Sequence, residues 1–263
     1  MVLGIDTAAR LTGEQARELK GAGYSFVGRY LVPEVGSLKY KALTKGEAEA
    51  ICSAGLKLLC VWETTADRAK GGAATGASDG TQALACAREL EMPESGIIYF
   101  AVDFGAQAGD MDAIEAYLRA AREQTGEYEI GVYGSYFVVE EMAQRKACGH
   151  FWQCVGWSGG KKSGSLNVYQ AQWGKTAAGV GVDIDECADM DAAGIWDYEE
   201  ENMTGEQIYS KLNEYLSAQP APDWAKDELE RAVELGITDG ERPMQLIPRY
   251  QAAIMAKRAA EGK

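Results

Sequence analysis

Gly96-Ile97-Ile98-Tyr99-Phe100-Ala101-Val102-Asp103 is the stretch whose reading decides the fold. Six apolar residues in a row, bounded by a glycine and closed by a carboxylate, are too few for a helix. They predict a strand buried on both faces, as in a parallel sheet covered by helices. Working outward, similar short apolar runs occur at 2–6, 26–30, 57–63, 129–133, 151–155, 166–173 and 180–185. Between the first six lie amphipathic stretches that predict helices at 12–19, 44–54, 79–90, 110–125 and 135–146. Thr44-x-x-Glu47 offers a capping box for the second of these, and the Gly- and Ala-rich stretch 68–78 reads as a loop. Eight strands alternating with helices predict an α/β fold, a (β/α)8 TIM-type barrel. The last three strands come with little helix between them, so the final third of the ring is expected to be irregular. An open doubly wound sheet is the competing arrangement.

The barrel is expected to occupy residues 1–200. Beyond Trp196 the composition changes: Glu199-Glu200-Glu201 reads as a solvated run, Thr204 caps a helix, and Gln219-Pro220-Ala221-Pro222 is a spacer. Residues 201–222 therefore read as a linker, and 223–263 as a small helical hairpin. A hairpin of that size has too little core to stand alone, so docking on a partner or a second copy is expected of it.

The 263 residues carry a formal charge of −14. That field opposes polyanions, and nucleic acid is not an expected partner. No apolar run is long enough to span a bilayer. Met1 to Asp6 reads as the start of a strand, so the expectation is a chain made in the cytoplasm without a signal peptide, reaching the cell wall by release or delivery. The six cysteines form no Cys-x-x-Cys pair, and the one histidine, His150, has no neighbouring ligand set. No metal or cofactor is therefore expected. Any acid–base chemistry must rest on carboxylates.

Those carboxylates are well placed. In a (β/α)8 barrel the side chains of the active face come from the C-terminal ends of several strands. Asp6, Glu63, Asp103 and Asp185 each close a predicted strand, with Tyr133, Gln170 and Gln172 nearby. Alternation along a strand puts Tyr99, Ala101 and Asp103 on one face, and likewise Asp183 with Asp185 and Gln170 with Gln172. One strand-end carboxylate could simply cap a helix or pair with an arginine; four on different strands suit glycoside cleavage, which needs one carboxyl to protonate the leaving oxygen and another to stabilise positive charge or activate water. Trp62, Tyr99, Tyr133, Tyr136, Trp152, Trp157 and Trp173 could offer sugar-binding surfaces or could pack the core.

Taken together, Gly4-Ile5-Asp6, Ile98 to Phe104, Gly131-Val132-Tyr133-Gly134-Ser135-Tyr136, Tyr169-Gln170-Ala171-Gln172-Trp173 and Val182-Asp183-Ile184-Asp185 resemble the glycoside-hydrolase-like domain of unknown function related to family-25 lysozymes. The resemblance covers most of 1–197. It implies a barrel acting on peptidoglycan or another cell-wall glycan, in the manner of a phage or bacterial lysin. Asp6, Asp103 and Asp183 or Asp185 match acidic positions of the lysozyme site. Those lysozymes carry Asp-x-Glu on the fourth strand, with the Glu as proton donor; here the run is Asp103-Phe104-Gly105. Glu63 is the candidate replacement acid, a role in which burial against Trp62 or other apolar groups would raise its pKa, with Asp103 as nucleophile, base or orienting group. Asp6 and Asp185 would tune those groups. Asp183, Tyr133, Gln170, Gln172, Trp62 and Tyr99 would contact substrate. The missing Glu also admits a barrel that binds glycan without cleaving it. The tail, from Trp224 through Gly236-Ile237-Thr238-Asp239-Gly240 to Met255, is similar to a single S-layer-homology-like repeat, which implies wall binding or homo-oligomerisation.

Overall fold

The structure is a computed structural model that describes residues 1–198, 205–244 and 249–261. It divides into two compact units, 1–198 and 199–263. The first is a closed eight-stranded barrel, its strands in sequence order around the ring: β1 (Val2–Asp6), β2 (Phe26–Tyr30), β3 (Lys57–Trp62), β4 (Ile98–Ala101), β5 (Ile130–Gly134), β6 (His150–Cys154), β7 (Val168–Ala177) and β8 (Val180–Cys187). Five helices cover it: α1 (Gly13–Gly21), α2 (Lys45–Ser53), α3 (Gly72–Glu89), α4 (Met111–Arg122) and α5 (Tyr136–Arg145). Residues 155–167 and 188–198 contain no α-helix, which gives the last third its irregular look.

Strands β1 to β7 run parallel, but β8 is antiparallel to both β7 and β1. A parallel crossover needs a dozen or more residues, whereas an antiparallel pair needs two. Here the connection is Ala178-Gly179, with φ of 47° and 74°. Two positive φ values suit the two-residue hairpin turn that matches strand twist. The mouth of the barrel therefore receives the C-terminal ends of β1 to β7 and the N-terminal half of β8. Asp185, expected to close its strand, lies inside β8, paired across to Gly4, while Asp183 pairs with Asp6.

Alternation sorts each strand into two faces. Val27, Leu58, Cys60, Trp62, Ile98, Phe100 and Val132 pack outward against the helices. Phe26, Leu59, Val61, Tyr99, Ala101, Trp152 and Val168 fill the interior. The large rings fit because glycines stand opposite them: a Cβ on Gly4 would lie 2.4 Å from the Phe26 ring, one on Gly131 2.5 Å from Tyr99, and one on Gly28 2.7 Å from the Asp6 Cβ and 2.9 Å from Trp152. Tyr99 and Tyr133 meet the Trp152 ring edge to face, at 5.9 and 5.1 Å between centroids. That aromatic layer is the floor of the cleft.

Two local expectations change. The stretch read as a loop at 68–78 is largely the first turns of α3, which begins at Gly72. Its glycines let α3 approach α4, since a Cβ on Gly76 would sit 2.1 Å from the Tyr117 carbonyl oxygen. At α2, Thr44 accepts the Glu47 N–H, but the Glu47 carboxylate does not complete the box. It binds the fully buried Arg29 at 2.8 Å and the Leu11 N–H at 2.9 Å, tying β2 to α2 and to the segment before α1. In α1 it is Thr12 and Gln15 that form a capping box.

The second unit contains α6 (Gly205–Ser217), α7 (Lys226–Glu234) and α8 (Arg249–Ala260). The expected cap Thr204, the acidic run 199–201 and Pro248 lie outside the described residues. Among the described residues no helix is long and apolar enough to cross a membrane.

Candidate active site

At the barrel mouth a cleft of 120 Å³ opens onto Asp6 from β1, Glu63 just after β3, Asp103 after β4 and Asp183 from β8. Trp152 and Val61 form its apolar base, and Tyr30, Tyr133 and Gln170 its sides. Chain positions as distant as 6 and 183 meet because each stands at or near the same end of a neighbouring strand.

Gln170 holds the carboxylates in register. Its Nε2 donates to Asp6 Oδ2 at 2.6 Å and to Asp183 Oδ2 at 3.2 Å. Its Oε1 accepts the Tyr133 hydroxyl at 2.9 Å, so the amide has one sensible orientation. Asp183 Oδ1 also accepts the Gly174 N–H at 2.8 Å.

Asp185 lies one layer below Asp6 and is fully buried. The Trp152 indole N–H donates to its Oδ1 at 3.0 Å, while its Oδ2 receives no donor. Burial first, then the charge of Asp6, pushes the Asp185 carboxyl well above the ordinary range. A neutral Asp185 can donate its proton to Asp6. Burial likewise lifts Asp6 to about 7, with the Asp183 charge adding to the rise and Gln170 opposing it. Asp103 is pushed up to about 6, chiefly by burial and then by the charge of Glu63, with Lys41 acting the other way.

Glu63 has a partner that sequence did not reveal. Lys41 Nζ lies 3.2 Å from Glu63 Oε1, with side chains only 6% and 14% exposed. The same ammonium stands 4.5 Å from the centre of the Tyr30 ring. Lys41 belongs to the irregular connection between β2 and α2, with no periodicity to mark it as inward-facing. A lone backbone bridge between Tyr30 and Ala42 pins that loop beside the sheet.

Three expected contact residues are placed elsewhere. Trp62 lies on the outer face of β3, 1% exposed among the helices, because alternation turns Val61 and Glu63 inward and Trp62 outward. It therefore does not flank Glu63 in the cleft. Tyr99 does face inward, but four residues before Asp103 and deeper in the barrel; its hydroxyl donates to the Ala193 carbonyl at 3.0 Å in the barrel floor. Gln172 is exposed, because a bulge between Gln170 and Gln172 breaks the period-two alternation. A second hollow of 340 Å³ adjoins the cleft, sharing Asp103, Tyr133, Gln170 and Asp183 and adding Cys154, Gly156, Trp157 and Trp173.

Comparison with known proteins agrees with this architecture. The uncharacterized protein FadG of Bacillus subtilis is 32% identical over 149 residues, 54% of this chain and 24% of that protein. The chain spans a quarter or less of the length of the curated relatives it matches. Among solved structures, the Tat-secreted protein Rv2525c of Mycobacterium tuberculosis, in complex with L-tartrate, aligns with a TM-score of 0.64 at 22% identity, covering 72% of this chain and 96% of that one. The glycosyl hydrolase 25 GHIP of Streptococcus pneumoniae aligns with a TM-score of 0.52 at 11% identity, covering 74% and 92%. The model of the Rv2525c-like, glycoside hydrolase-like domain matches residues 17–201, and the chain belongs to that family.

Proposed function

We propose that the barrel hydrolyses glycosidic bonds of a bacterial cell-wall glycan, with Asp103 as proton donor and Glu63 as the charged carboxylate. The observation that carries this reading is the meeting of carboxylates from four strands in one cleft, with Asp103 lifted to about 6 beside Glu63. A carboxyl with a raised pKa beside a carboxylate paired with an ammonium is an arrangement suited to acid–base cleavage. The sequence pointed to Glu63 as the acid. Its ion pair with Lys41, and the turn of Trp62 to the other face of the sheet, favour Asp103 for that role instead.

In this scheme the Asp103 proton passes to the glycosidic oxygen as the bond to the anomeric carbon breaks. Glu63 stabilises the positive charge on the sugar, and a water adds to the anomeric carbon and returns a proton. Asp6 and Asp185 share a proton beneath the reacting sugar, and Asp183 accepts a sugar hydroxyl. The C-terminal helices, similar in sequence to an S-layer-homology-like repeat, would attach the barrel to the wall once the protein has been released or delivered there.

A turbidity assay on purified peptidoglycan sacculi tests the reading. Wild type should clear them, Asp103→Asn and Glu63→Gln should each lose about a hundredfold or more, and the rate should fall above pH 6 as Asp103 loses its proton. Wild type that sediments with the walls yet clears nothing would replace this reading with that of a glycan-binding barrel, which the clamping of Glu63 by Lys41 favours. Sugar release from another polysaccharide, and none from peptidoglycan, would change the substrate.

A further inference from the structure

Two tryptophans stand in water where the cleft widens. Trp157 is 57% exposed and Trp173 71% exposed, and both line the 340 Å³ hollow that shares Asp103 and Asp183 with the cleft. Single exposed apolar residues need no explanation. Two indoles on one concavity are different, and the backbone beneath each is irregular.

Trp157 has φ of 54°, a left-handed conformation that is strained for an aromatic residue. The next residue holds it there. Ser158 is 4% exposed; its hydroxyl donates to the Cys154 carbonyl at 2.6 Å and accepts the Tyr136 N–H at 2.9 Å. Trp173 lies in the bulged part of β7, between Gln172 and Lys175. Bulges beside active sites re-aim side chains, and the Gly174 N–H fastens this one to Asp183. The Trp157 ring also covers Gly105: a Cβ there would lie 3.4 Å from Cδ1 of the indole. Residue 105 is where the resembling lysozymes carry their donor Glu, so here an aromatic ring stands over that position.

We propose that the hollow between Trp157 and Trp173 is a saccharide subsite, in which the indoles stack on the apolar face of a hexopyranose and hold it beside Asp103. A volume of 340 Å³ lies within the range of about 300–1,000 Å³ usual for small-molecule sites. An apolar wall with a few polar groups at its edge is the chemistry of a sugar ring, whose C–H face is greasy and whose rim is hydroxylated. This inference rests on the glycan reading above and adds the residues that bind the chain beside the cleavage point.

The test is calorimetric titration of soluble, peptide-stripped peptidoglycan glycan strands into Glu63→Gln protein, which halts turnover, with wild type titrated alongside. Trp157→Gly and Trp173→Ala are added singly to the Glu63→Gln background. Each should weaken binding by about 2- to 10-fold. Trp157→Gly should also melt at an equal or higher temperature, because glycine accepts the left-handed backbone. Lost affinity with undiminished stability would mark Trp157 as kept for its ligand. Strands that bind equally well to all variants would overturn the subsite and leave the glycan reading standing. Strands that bind neither wild type nor Glu63→Gln would overturn both.

Discussion

Replacing Asp6 by Asn should stabilise the barrel, by an amount that grows from pH 5 to pH 8. Asp6 is raised from its ordinary 3.8 to about 7, and burial is the main cause. Between those two values the folded protein holds a proton that the unfolded chain releases, so stability must fall as pH rises through that window. At about 1.4 kcal/mol per pH unit, the charged form costs the fold up to about 4 kcal/mol at pH 8. Asp103, lifted to about 6, and Asp185 push in the same direction. Asn keeps an oxygen to accept the Gln170 Nε2 bond and places an amide where it can donate to Asp185. Urea denaturation at pH 5 and pH 8 and fixed ionic strength, followed by tryptophan fluorescence, reads the effect, since five of the six tryptophans belong to the barrel. The expected result is a wild type less stable at pH 8 than at pH 5, and a variant whose gain over wild type is about 2–3 kcal/mol larger at pH 8 than at pH 5. A wild type equally stable at both pH values, with a variant less stable than wild type at pH 8, would refute the view that the cleft is held together against its own charge.

Two further substitutions probe the supports of the cleft. Lys41→Met removes the cation facing Glu63 and strands a nearly buried carboxylate; urea denaturation should show a loss of about 3 kcal/mol, and turbidity clearance should drop with it. Gly76→Ala forces a methyl group toward the Tyr117 carbonyl oxygen 2.1 Å away, so the α3–α4 contact should loosen and thermal melts should report about 1–3 kcal/mol of destabilisation. Gly109→Ala, with nothing within 4 Å of the new carbon, is the control.

The strands, and the meeting of Asp6, Glu63 and Asp103, were legible in sequence from short apolar runs that end on carboxylates; the fourth acid expected with them, Asp185, lies beneath the cleft, and Asp183, expected only as a substrate contact, takes its place. Alternation also told that Tyr99 and Asp103 share a face, but not that four residues of strand, about 13 Å, separate floor from mouth. The same rule separates Trp62 from Glu63, which are adjacent and so must point apart. The two-residue link Ala178-Gly179 carried the signal for an antiparallel closure, and with it for Asp185 lying inside its strand. The bulge that exposes Gln172 has no such signature. Lys41 was out of reach, since loop residues follow no period, and the opening turns of α3 hid behind glycines whose role is to let two helices touch.

The reversal of β8 has a consequence for how such molecules can diverge. Gln170, Trp173, Asp183 and Asp185 all ride on one ribbon, from Val168 to Cys187, joined by a tight turn. A ribbon of this kind can grow at its tip, two residues at a time, without breaking the ring of strands behind it. Inheritance can thereby raise or lower one bank of the cleft while Glu63 and Asp103, which follow other strands, stay where they were.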